Sequence, residues 1–186
     1  KGVTGMSTKE EDVVDISLTA NTHDGLLFFT NKGKVYQSKA YEIPEGSRTS
    51  KGRAIVNFLN LGPEEKIRAI LSLKEKKGKH EAEKYIILST KNGIIKKTAI
   101  EDFDNVRGSG IAAIGLKNND SLSWVKSTSG NDEMILVTKN GIAIRFSEKD
   151  VRPMGRVASG VTGIRLKKGD EVVGMDVIKS QKSDIK

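Results

Sequence analysis

Few residues of this chain could do covalent or metal chemistry. Cysteine is absent, which removes a thiolate nucleophile, a zinc ribbon, an iron-sulfur site and any disulfide framework, and fits a reducing, cytoplasmic compartment. His23 and His80 are the only histidines and leave little for a transition metal to bind. Tyr36, Tyr41 and Tyr85 stand in or beside strand-like runs with no arginine partner to make a nucleophile of them. No GxxxxGK[ST] phosphate loop occurs. The densest acidic group, Glu10, Glu11, Asp12 and Asp15, could suggest Ca²⁺ or Mg²⁺. It has counterparts in Glu64-Glu65, Asn119-Asp120 and Asp170-Glu171, so it reads as a repeated structural turn. No catalytic residue, metal site or cofactor is expected. What remains is electrostatic: 32 Lys and Arg against 24 Asp and Glu give a net charge of +8, which points to an anionic partner.

The elements that must position those cations recur. Residues 26–36 (LLFFTNKGKVY), 86–96 (IILSTKNGIIK) and 134–144 (MILVTKNGIAI) each hold an apolar run, a turn and a second apolar run. Asn92-Gly93 and Asn140-Gly141 are two-residue turn signals of type I′, with Lys32-Gly33 in the same slot, so each segment reads as a β-hairpin. Ten positions after the hairpin glycines Gly33, Gly93 and Gly141 come Ile43, Phe103 and Val151. A second turn glycine follows, Gly52, Gly110 or Gly160, and each is expected to open an alternating strand: GRAIVNFL, GIAAIGLK and GVTGIRLK. Gly2 matches this element without a hairpin before it. The segments DVVDISLTA, KIRAILSL, DSLSWVKST and DEVVGMDVI are strand-like and close each unit.

The chain therefore divides into a half blade at 1–21, repeats over about 22–73, 84–128 and 132–178, and a charged loop insertion at 74–83. Repeats of about 50 residues built from short strands, with almost no 3.6-residue periodicity, predict an all-β, propeller-like array of four-stranded blades. Trp124, alone in its strand, reads as core filling. Apolar runs of four or five residues exclude a membrane-spanning helix, and the N-terminus lacks a signal-peptide core.

Sorted by repeat, the charge localises. The windows 30–53, 90–112 and 138–161 hold 15 cations and 7 anions, and the other 115 residues hold 17 of each sign. The whole net charge thus belongs to one recurring part of the blade. In a radial array such a part becomes a continuous positive rim, suited to a curved polyanion met through serial phosphate contacts. The cations are not interleaved with the aromatics that single-strand binders use for stacking, so double-stranded DNA is the expected partner. The candidate contacts are Lys1, Lys32, Lys34, Lys39, Arg48, Lys51, Arg53, Lys91, Lys96, Lys97, Arg107, Lys139, Arg145, Arg152 and Arg156.

The run NTHDGLLFFTNKGKVYQSKAYEIPEGSRTSKGRAIVNFL, residues 21–59, closely resembles the C-terminal domain of DNA gyrase A, and VRGSGIAAIGL and VRPMGRVASGVTGIRL resemble its following blades. The Thr-His-Asp at 22–24 and Glu-Ile-Pro at 42–44 make the resemblance specific. It implies a β-pinwheel whose blades exchange strands, with about four of the family's six blades present as an open arc. It also implies a non-catalytic domain that wraps duplex DNA for ATP-dependent strand passage and negative supercoiling. The nucleophilic tyrosine would lie elsewhere in the parent topoisomerase. ATP and Mg²⁺ would belong to the holoenzyme, in which gyrase A and gyrase B form an A2B2 heterotetramer in the cytoplasm, with no membrane partner. The family's basic box, Gln-Arg-Arg-Gly-Gly-x-Gly, is matched here only by Lys1-Gly2 at its end. The alternatives are the equivalent domain of topoisomerase IV, or a β-propeller scaffold for proteins.

Overall fold

The computed structural model describes residues 16–47, 50–73 and 83–180. Lys1, Arg48, His80, the acidic cluster at 10–15, most of the half blade and nearly all of the charged insertion lie outside those residues.

The described chain is built of eleven strands and four short 3₁₀ turns. The strands are β1 (Gly25–Thr30), β2 (Lys34–Lys39), β3 (Ile67–Leu73), β4 (Tyr85–Thr90), β5 (Ile94–Ala99), β6 (Ile111–Ala112), β7 (Leu122–Thr128), β8 (Glu133–Thr138), β9 (Ala143–Ser147), β10 (Val161–Thr162) and β11 (Val172–Ile178). They form three antiparallel sheets ordered β3-β1-β2-β6, β10-β5-β4-β7 and β11-β8-β9. Blades exchange strands as the resemblance implies. β6, from the second repeat, pairs with β2 of the first blade, and β10, from the third repeat, pairs with β5 of the second. β7 contacts both β3 and β11, so these third strands stand side by side and β2, β5 and β9 are turned outward.

Continuous apolar runs follow from sheets covered on both faces. Leu27 and Phe29 of β1 join Ile86 and Leu88 of β4 in one core, while Leu26 and Phe28 point into another with Tyr36 and Leu59. Ile87, facing the other way, joins Met134 and Leu136 of the third blade. Each fully buried Leu, Ile or Phe contributes about 1.5–3 kcal/mol relative to an exposed one. Trp124 is half-buried against that third core.

Three expectations are corrected. The hairpin turns have three residues, not two: in all three copies the glycine N–H donates to the threonine carbonyl at 3.0–3.1 Å (Gly33 to Thr30, Gly93 to Thr90, Gly141 to Thr138). Positive φ falls on the glycine alone, 73°, 81° and 78°, and not on the preceding Lys or Asn. This is a type I turn closed by a left-handed glycine, and the buried threonine hydroxyl, accepting from the N–H of Lys34, Ile94 or Ile142, braces the extra residue. Secondly, the strands after the second glycines are only two residues long, and GRAIVNFL forms none. Its Ile55, Phe58 and Leu59 fold around a 3₁₀ turn, Ile55–Asn57, and cover the outer face of the first blade. Finally, residues 16–20 at the end of DVVDISLTA are not strand.

The acidic turns are structural. Glu65 accepts from the Thr30 hydroxyl (2.7 Å), the Tyr36 hydroxyl (2.9 Å) and the Gly62 N–H (2.8 Å). Asp120 and Asp170 accept from the N–H of Asn92 (3.0 Å) and Asn140 (3.1 Å) in the next-door hairpin turns. Each turn therefore pins its hairpin to the third strand, and no group of three metal-ligating side chains occurs among the described residues.

Candidate nucleic-acid interface

The repeat places the expected cations in distinct environments. Lys32, Lys91 and Lys139 stand on the three hairpin turns, and Lys34 follows the first. Arg107, Arg152 and Arg156 lie on the segments that run from the end of one hairpin to the exchanged strand. Those segments travel along the outward edge of the preceding blade: the Met154 N–H donates to the Lys97 carbonyl at 2.8 Å, and Pro153 bridges Lys97. Lys51 and Arg53 occupy the same segment of the first repeat. The geometry brings these residues to turn tips and outer edges, in successive blades.

Three of the fifteen are engaged by their own fold while remaining at the surface. Lys91 pairs with Glu171 at 2.8 Å, Arg145 is held by both Nε and Nη2 on Glu133, and Lys39 donates to the His23 carbonyl at 3.3 Å. Exposed pairs of this kind are weak and can exchange partners.

Lys96 and Lys97, expected among the phosphate contacts, are inside the protein: 0% and 4% exposed. Lys96 Nζ donates to the Ala113 carbonyl at 2.7 Å and to the Arg156 carbonyl. Burial drives its pKa down to about 8, with Arg156 adding to the fall and Asp102 opposing it. Lys97 Nζ donates to the Glu148 carbonyl at 2.6 Å and lies 5.0 Å from the centre of the Tyr85 ring; burial lowers its pKa against Glu148 and Asp150. Neither ammonium can reach a phosphate without opening the blade, because outgoing segments of the third repeat lie across β5.

That leaves eight exposed or half-exposed candidates with no ion pair among the described residues: Lys32, Lys34, Lys51, Arg53, Arg107, Lys139, Arg152 and Arg156. Lys117 and Lys167, seven residues after Gly110 and Gly160, are also exposed and follow Leu116 and Leu166, which pack beside the hairpin glycines Gly33 and Gly93. Charge windows that stop at the exchanged strand miss them, and the shared offset from the glycine is the signal that finds them.

The three tyrosines have different surroundings. Tyr36 is 1% exposed, and burial, then its bond to Glu65, push its pKa up to about 12. Tyr85 carries the Lys97 ammonium on its face, and the Tyr41 ring makes a T-shaped contact with His23.

A family profile described as DNA gyrase C-terminal domain, beta-propeller, matches residues 26–74, 84–129 and 132–179. The DNA gyrase A protein of Clostridium acetobutylicum is 49% identical over 163 residues, which cover 88% of this chain and 19% of that protein. Its counterpart in Staphylococcus epidermidis is 43% identical over 184 residues, 99% of this chain and 20% of the relative. The chain thus spans about a fifth of the length of these relatives. Among solved structures, the C-terminal domain of DNA topoisomerase IV superposes with a TM-score of 0.77 at 34% identity, over 87% of this chain and 49% of that one. The DNA gyrase A C-terminal domain gives 0.67 at 29% identity, over 94% and 57%. No helix among the described residues is long and apolar enough to cross a membrane.

Proposed function

Since the chain belongs to the family of DNA gyrase C-terminal domains, we propose that it is a duplex-DNA-binding domain without catalytic residues of its own, which bends DNA along the outward edges of its blades. One observation carries this reading: cations recur at the same turn tips and edge segments from blade to blade, eight of them outside ion pairs among the described residues, while Lys96 and Lys97, which break that pattern, are buried. Contacts spaced along an arc favour a curved backbone and need no base readout. In the parent type II topoisomerase such a domain would present the bent segment for strand passage, leading to negative supercoiling. ATP, Mg²⁺, the rest of gyrase A and the gyrase B protein would be supplied by that assembly.

A second reading is the equivalent domain of topoisomerase IV, favoured by the TM-score of 0.77 to that structure. Sealing a nicked circular duplex in the presence of the chain tests the wrapping that the gyrase reading requires. A right-handed wrap traps positive writhe, so the sealed circle gains linking number. Binding with no change in linking number contradicts wrapping and removes what distinguishes the gyrase reading from the second one. Failure to retain duplex DNA at low salt contradicts both and leaves the protein-scaffold alternative.

A further inference from the structure

Lys96 is buried for a reason that the phosphate-contact reading does not supply. The segment of the third repeat that crosses β5 makes a tight turn, with the Ala158 N–H donating to the Gly155 carbonyl at 3.1 Å and Arg156 and Val157 at its tip. Val157 is 77% exposed and Arg156 half-exposed, so the tip points outward. Everything behind the tip is fixed. The Met154 N–H is tied to the Lys97 carbonyl at 2.8 Å, and the Gly115 N–H donates to the Ala158 carbonyl at 3.1 Å. Gly160 lies so close to β5 that a Cβ there would stand 2.6 Å from the Ile95 carbonyl oxygen. From beneath, Lys96 Nζ donates to the carbonyl of Arg156 itself and to that of Ala113, in the segment following β6. One ammonium therefore joins segments of two successive repeats at the point where a candidate DNA contact leaves the fold. The first blade has no such device, because Tyr36, at the matching position, turns its hydroxyl to Glu65.

We propose that Lys96 is a positioning residue that holds the Arg156–Val157 turn at the rim, so that Arg156 meets duplex DNA already ordered. The inference rests on the DNA-binding reading above and makes a separate demand. A main-chain carbonyl held by a buried ammonium fixes the backbone of Arg156, while no ion pair among the described residues engages its guanidinium, and this lowers the loop ordering lost on binding.

The test is a double-mutant cycle on the full chain, read as the dependence of duplex affinity on salt. Arg156→Ala is expected to make the slope of log K against log salt shallower by about 0.9, one phosphate contact. Lys96→Met keeps the arginine but loses its pre-ordering, so it is expected to weaken duplex binding at every salt concentration by at most as much as Arg156→Ala, and to add nothing in the Arg156→Ala background. Gly115→Ala displaces the same turn with Lys96 intact, since the new Cβ would meet the Val157 carbonyl oxygen at 2.7 Å. It is expected to reproduce the loss even if Lys96→Met proves too unstable to use. Amide exchange without DNA supplies an independent readout: Lys96→Met accelerates exchange at Ala158 and Gly115 and leaves the Gly141 turn, which neither segment touches, unchanged. Wild-type affinity in Lys96→Met or Gly115→Ala, an added loss in the Arg156→Ala background, or unaltered exchange at Ala158 each overturns the inference. Absence of salt-dependent binding by the wild-type chain contradicts the DNA reading instead, and the exchange result then stands alone.

Discussion

Three residues past the hairpin glycine, the first blade carries Tyr36, the second Lys96 and the third Ile144. The first two occupy the same register and are buried to the same degree, 1% and 0% exposed, yet one is a neutral phenol and the other an ammonium. Tyr36 is satisfied by a side chain, the Glu65 carboxylate, whereas Lys96 is satisfied by main-chain carbonyls from two repeats. Ile144 is 38% exposed, with no fourth strand beside β9 among the described residues. The repeat therefore specifies where a side chain goes when a neighbour covers it, and leaves open which chemistry fills the place.

The contrast can be broken most forcefully at Glu65. Glu65→Ala leaves the buried Thr30 and Tyr36 hydroxyls and the Gly62 N–H without their acceptor, and is expected to cost about 3 kcal/mol in urea unfolding. Lys96→Met at neutral pH removes a desolvated charge but leaves the Ala113 and Arg156 carbonyls without their donor, so the two effects partly offset and the net cost is expected to be about 1.5 kcal/mol, below that of Glu65→Ala. Equal losses at the two sites would show that the kind of partner does not matter. Tyr36→Phe, which removes one of three donors to Glu65, is expected to cost about 1 kcal/mol.

Acidity sharpens the comparison because the two groups shift in opposite senses. Lys96 is pushed down to about 8 in the fold, while an unfolded lysine titrates near ~10.4. Between those values the unfolded chain binds more protons, so this residue makes stability rise with pH, and the rise disappears in Lys96→Met. Tyr36 is pushed up to about 12, while an unfolded tyrosine ionises near ~10. Its contribution is therefore lost as pH climbs above that value, and Tyr36→Phe removes the loss. Denaturant titrations from pH 7 to 11 on the two variants and the wild type give both difference curves. Curves of the same sign would contradict the assigned environments.

Much of the fold was legible because its signals are local. The three hairpins, the acidic turns and the second glycines each have a residue pattern, and together they state the repeat. The turn type was not legible: Asn-Gly suits both a two-residue turn and the observed three-residue loop, and only the register of Phe29 with Val35 or Ser89 with Ile95 decides between them. The fate of GRAIVNFL was equally hidden, since Ile55, Phe58 and Leu59 satisfy a strand pattern and a cap over the first blade alike. The candidate interface was legible as charge and only incompletely as exposure. Lys96-Lys97 looks like a surface pair because a strand with one dry face would expose one of them. Here segments of the third repeat lie over both Lys96 and Lys97, which no pattern within residues 90–99 reveals. Lys117 and Lys167 escaped for the opposite reason, lying just beyond the windows in which charge was counted.

The central claim is that the exposed, repeated cations meet duplex DNA and the buried ones do not. Salt dependence of duplex binding tests it most directly. With the eight surface cations engaged, log K falls against log salt with a slope of about −7, by about 0.9 per phosphate. Arg152→Ala with Arg156→Ala makes the slope shallower by about 2, and Lys97→Met leaves it unchanged. A slope near zero, or a loss in Lys97→Met as large as that of the arginine pair, would contradict the account.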